Sequence, residues 1–116
     1  MSRSGRVRAE TEERFPALHQ FLGCYLGDWP ADAATPLDAV DRAVAEYPVA
    51  QRRKVRRELA ELLGSAGDDC GLRRVLNDGL GVNVHFRKPG EARAFAEAVE
   101  RKLLQSIKSD YEDRRR

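Results

Sequence analysis

Apolar side chains recur along the chain in helical runs separated by short breaks. Phe15, Leu18, Phe21, Leu22, Tyr25 and Leu26 follow one another at three- and four-residue steps, which places them on one face of an α-helix. Pro16 falls in the first turn, where its missing N–H has no partner to lose, and Gly27 stands close to the end. The next stretch, Asp28-Trp29-Pro30-Ala31-Asp32, is predicted to be a loop, because Pro30 pushes Trp29 out of helical geometry. Thr35-Pro36-Leu37-Asp38 then has the form of a helix start, with a Thr cap, Pro in the first helical position and an acid two residues later. Leu37, Val40, Ala43, Val44 and Tyr47 share one face of that helix, and Asp38, Asp41 and Glu46 spread over the other.

Tyr47-Pro48 breaks the pattern, and a stripe of Val55, Leu59, Leu62 and Leu63 follows, closed by Gly64. Asp68 or Asp69 can cap a further helix whose inward side is Leu72, Val75, Leu76 and Leu80, with Gly79 and Gly81 at its end. Residues 82–86 alternate apolar and polar, the period of an extended segment. No second strand pattern offers it a mate, so it is expected to be a connector or an edge. Pro89-Gly90 makes a turn into a last helix from about Glu91 to Asp110, with Phe95, Val99, Leu103, Ile107 and Tyr111 facing in. The expected fold is all-α, an irregular bundle of about five helices with one short extended connector. Residues 1–14 have almost nothing to bury and are expected to be a mobile lead-in, 15–111 the helical domain and 112–116 a basic tail.

Composition narrows the function classes. The 116 residues are 41% hydrophobic and 34% charged, a mixture that suits one compact domain with a charged surface. With 21 basic against 19 acidic side chains the net charge is only +2, so no global field draws the protein to nucleic acid or an acidic membrane. Cys24 and Cys70 are too few for a disulfide framework, and two buried thiols in a reducing compartment is the plainer reading. The first residues lack the apolar core of a signal peptide, and no apolar run approaches the ~20 residues of a membrane span. The cytoplasm is the expected location.

Candidate chemistry is thin. His19 and Cys24 are about 140° apart on an ideal helix, so they cannot ligate one ion from that segment alone, and no metal-binding spacing occurs elsewhere. No phosphate-binding glycine loop or nucleophile signature is present. The chain reads as a binder, not an enzyme, with no cofactor. The basic run Gln51-Arg52-Arg53-Lys54-Val55-Arg56-Arg57 is the strongest local charge feature. Arg53, Lys54 and Arg57 lie opposite the apolar stripe, with Glu58 and Glu61 on the same outward side and Arg57 paired with Glu61. Arg52 lies on the apolar side, flanked by Arg56, and needs an internal acid; the end of the first helix and Asp28 are the candidates. Trp29 beside Asp28 has two readings, a ring closing the core or the anchor of an interface.

The run Phe15-Pro16-Ala17-Leu18-His19-Gln20-Phe21-Leu22-Gly23, then Tyr25 and Asp28-Trp29, resembles the opening of the immunity proteins of bacterial contact-dependent growth inhibition systems. The helix order over about residues 15–86 is similar as well, with Glu58-Leu59-Ala60-Glu61-Leu62-Leu63 closing a charged helix and Leu80-Gly81 closing the next. One departure stands at Leu26, where members of that family often carry His. The resemblance implies a cytoplasmic protein that binds and neutralises the toxic C-terminal domain of a cognate effector. Asp28, Asp32, Asp38, Asp41 and Glu46, next to Trp29, form the acid-rich stretch expected to meet that toxin. The alternative is a small helical nucleic-acid-binding module that uses the basic helix 51–57, with Arg53, Lys54 and Arg57 on the phosphates. A third is an adaptor subunit for another protein.

Overall fold

The computed structural model describes residues 3–26, 35–65, 68–82 and 84–115, with side chains described for 9–23, 35–65, 68, 70–82 and 84–111. Six helices occur among them: α1 (Arg3–Arg14), α2 (Pro16–Leu26), α3 (Pro36–Glu46), α4 (Val49–Ser65), α5 (Asp69–Arg74) and α6 (Glu91–Arg115). A π-helical turn, Val75–Gly79, continues α5 without a break. The expected all-α bundle is observed, with one helix more than expected and no strand among the described residues.

The local signals at two helix starts act as their chemistry dictates. Thr35 is extended, and its hydroxyl accepts the Asp38 amide at 3.1 Å with Pro36 in the first helical position. Asp68 accepts the Gly71 amide at 2.8 Å and starts α5. A third start is capped from elsewhere. Pro16 interrupts the amide ladder between α1 and α2, and the Leu18 amide finds the Glu58 carboxylate of α4 at 2.9 Å. Glu58 was expected on the outward side of α4; it is partly buried because the positive end of α2 comes to it.

The core forms where these faces meet. Phe15, Leu18, Phe21 and Leu22 of the α2 region pack with Val40 and Ala43 of α3, Val55, Leu59 and Leu62 of α4, and Val99 and Leu103 of α6. Leu72, Leu76 and Leu80 are fully buried across α5 and the π turn, each contributing about 1.5–3 kcal/mol by burial. The Phe21 and Tyr47 rings meet edge to face at 5.1 Å. Arg52, expected to need an internal acid, is 8% exposed, and its guanidinium pairs with Asp110 of α6 while its Nε donates to the Tyr47 carbonyl at 2.9 Å. The acid is therefore Asp110, not the end of the first helix or Asp28.

Three expectations are corrected. The lead-in 1–14 was expected to bury nothing, yet Arg3–Arg14 is a helix packed on the π turn, with Thr11 6% exposed. Gly79 explains the contact: a Cβ there would lie 2.3 Å from Thr11 Oγ1, so only the bare backbone lets α1 approach. Tyr111, expected inward, is 52% exposed, and the helix runs through the expected tail to Arg115. Cys70, expected to be buried, is free and exposed; the Cys24 side chain lies outside the described residues.

Gly79→Ala is expected to lower stability to urea by about 1–3 kcal/mol, the usual cost of overpacking, and to open α1 to trypsin before the rest of the chain. Thr11→Ala in the same chain should recover part of that loss. An unchanged unfolding midpoint would show that α1 is not seated on the π turn.

Candidate partner-binding surface

The extended segment after α5 has no strand to pair with, so its backbone must be satisfied in another way. The π turn supplies the means. Its widened ladder, in which the Leu80 amide reaches the Val75 carbonyl at 2.8 Å, ends at Gly81 with φ 70°, and the Val82 amide returns to the Leu76 carbonyl at 3.0 Å. Asn77, inside the turn, then uses both hydrogens of its side-chain amide, donating to Val82 O at 2.8 Å and Val84 O at 2.9 Å. Arg73, one turn earlier, donates to Phe86 O at 3.4 Å. The connector is held as an edge strand would be, by side chains in place of a second strand.

An extended segment turns alternate side chains to opposite sides, and two concavities follow from this. On one side Val84 and Phe86 join Thr35, Pro36 and Leu37 of the α3 start and Glu91, Ala94, Phe95 and Ala98 of α6. They line an open, mainly apolar groove of about 420 Å³. The Phe86 and Phe95 rings lie 5.5 Å apart and tilted. Glu91 fixes the α6 side by accepting the amides of Arg87 at 3.2 Å and Lys88 at 3.0 Å. On the other side His85 and Arg87 face Arg73 and Asn77 across a cleft of similar volume.

The acids singled out on α3 border this region. Asp38 directly follows Leu37 of the groove wall and is exposed. Asp41 is exposed and accepts Lys102 Nζ of α6 at 2.8 Å, an open pair of the kind worth ~0–1 kcal/mol. Glu46 is exposed at the far end of α3, with Arg42 exposed between it and Asp38. The acidic face is thus partly offset by Lys102 and interrupted by Arg42. Asp28, Trp29 and Asp32 lie outside the described residues.

The basic helix divides in two. Arg53, Lys54 and Arg57 are exposed on α4, whereas Arg52 is consumed by Asp110 and the Tyr47 carbonyl. Glu61, expected to pair with Arg57, instead meets Arg14 of α1 at 3.4 Å. His19 is half-buried on α2, its Nε2 sealed from solvent with no hydrogen-bond partner among the described residues. No three His, Cys, Asp or Glu among the described residues are grouped to hold a metal ion, and no helix is long and apolar enough to cross a membrane.

This architecture has a match among known families: the family described as CdiI immunity protein covers residues 14–103. The chain belongs to that family. Neither a curated protein nor a solved structure matches it. The matched span of this CdiI family member holds the whole of α2 to α5, the connector and the first half of α6, and so includes every residue that lines the groove and the cleft. Nearly all of α1, together with Asp110, falls outside it.

Sequence reasoning placed Phe86 on a connector without a mate and Phe95 on an inward face, but did not bring them together. The available signal was a large aromatic ring at the end of an alternating segment, which needs a surface to pack on.

Asn77→Ala is expected to leave the Val82 and Val84 carbonyls unpaired by protein and to cost about 1–3 kcal/mol. In ¹H–¹⁵N spectra the amides of residues 82–87 should move most, with those of α4 nearly unchanged. Changes spread evenly over the bundle would sink the clamp as described.

Proposed function

We propose that this CdiI family member is an immunity protein that binds and neutralises the C-terminal toxin domain of a cognate contact-dependent growth inhibition effector. It acts as a binder, without catalysis, in the cytoplasm of the cell it protects. The observation that carries the reading is family membership over residues 14–103, joined to an open apolar groove with carboxylates beside it. That combination has the anatomy of a protein interface, an apolar centre within a polar rim.

In this reading the toxin covers the groove, and Asp38, Asp41 and Glu46 of α3 meet basic groups on its surface. The preceding segment contributes Asp28, Trp29 and Asp32, with Trp29 as the aromatic anchor. Carboxylates at such a rim act chiefly by steering encounter and rejecting wrong partners, which speeds association more than it deepens affinity. Binding of Asp41 to Lys102 does not prevent this, because an exposed pair exchanges partners at small cost.

The test is co-expression with the toxin domain encoded immediately upstream, scored by cell survival and by co-purification. The protein is expected to rescue growth and to form a complex whose association slows as salt rises. Asp38→Lys with Asp41→Lys should weaken the complex about tenfold, mainly through slower association. Unchanged binding and protection would remove the acidic face from the interface; absence of any complex would remove the immunity reading itself.

A further inference from the structure

The cleft on the other side of Phe86 carries charge of the opposite sign. Its lining is Arg73, Asn77, His85, Phe86 and Arg87, three basic side chains and no carboxylate. Among the described residues neither Arg73 nor Arg87 has an acid as ion-pair partner. Arg73 instead donates to the Phe86 carbonyl at 3.4 Å and lies 3.9 Å from Cys70 Sγ. The Phe86 contact leans the guanidinium toward the connector, and Asn77 holds the backbone that carries His85 and Arg87. The cations are therefore placed by the fold, not merely scattered over the surface, and a planar guanidinium in a fixed position suits a carboxylate.

We propose that this cleft receives an acidic segment of a protein partner, and that an apolar side chain of the same segment enters the groove beyond Phe86. Phe86 is the shared wall of both concavities, so a chain crossing the connector would reach each within a few residues. Charge complementarity favours a polypeptide over a nucleic acid. A phosphate backbone calls for a continuous basic track, whereas here the cations stop at an apolar groove whose lining includes Glu91. Asp78, exposed beside Asn77, interrupts the basic surface again. The inference rests on the immunity reading only for the identity of the protein that carries the segment. It adds to the acidic α3 face a second contact of opposite polarity, so that the partner would be recognised by a pattern of charge and not by one sign.

The experiment is a titration of the ¹⁵N-labelled full chain with a short peptide of glutamates around a single phenylalanine, and separately with a short single-stranded RNA. The peptide is expected to move the resonances of Arg73, His85, Phe86 and Arg87 saturably and to leave α4 in place. Arg73→Ala with Arg87→Ala should weaken it about tenfold or more, whereas Arg73→Lys, which keeps the charge, should retain part of the binding. Replacing the peptide's phenylalanine by serine should lose the shifts at Val84 and Phe95 first. No shift in the cleft, equal binding by the double variant, or tighter binding of RNA at the same residues would overturn the proposal. Because no toxin enters this titration, its failure leaves the immunity reading intact, and failure of the toxin test leaves this one standing.

Discussion

A lone extended segment in a helical protein must find hydrogen-bond partners that a sheet would have supplied. Here one side-chain amide, that of Asn77, meets most of this demand by donating to two carbonyls of the connector. Nearly everything on the candidate surface depends on that constraint. It sets which side chains turn toward α6 and which toward α5, and so separates the apolar groove from the basic cleft. It also explains why a π-helical turn occurs at this point: the wider ladder ends the helix where Asn77 faces the carbonyls and Leu80 remains buried.

The rest of the bundle secures that arrangement from two sides. Glu58 of α4 ties down the start of α2, and Gly23 of α2 lies close enough to the π turn for a Cβ there to meet the Leu80 carbonyl at 3.2 Å. On the opposite flank Glu91 accepts two amides of the connector's far end as α6 begins. Arg52 and Asp110 join α4 to the part of α6 that lies past the family-matched span. A buried cation paired to a partly exposed acid brings little net stability, because desolvation offsets most of the attraction; its contribution is to select one packing of α6 on α4.

Much of the fold was legible in the chain itself. The caps Thr35 and Asp68 and the stripes through α2 to α4 follow from local chemistry and helical period, and each forms as expected. What escaped reading depends on contacts distant in sequence. The lead-in looked solvent-bound because its buried residue is a threonine, and its seat is a glycine nearly seventy positions away. Glu58 looked outward because a helical wheel does not include the neighbour whose N-terminus needs an anion. Tyr111 continued an inward period that α6 keeps after its partners have ended. Of the surface, the acids of α3 were legible as a run of charge, while the groove was not, since Leu37, Phe86 and Phe95 are brought together only by the connector's course.

The π turn has one more implication. Such a turn differs from an ordinary helix by a single inserted residue, and losing that residue would rewind the ladder and rotate all that follows by about 100°. Leu80 would leave the core and the connector would exchange the sides on which Phe86 and Arg87 project. A one-codon insertion or deletion here would therefore rewrite the recognition surface in a single step while the helices beneath keep their composition. In a lineage under pressure to change partners, this short stretch is where a small genetic event has the largest geometric effect.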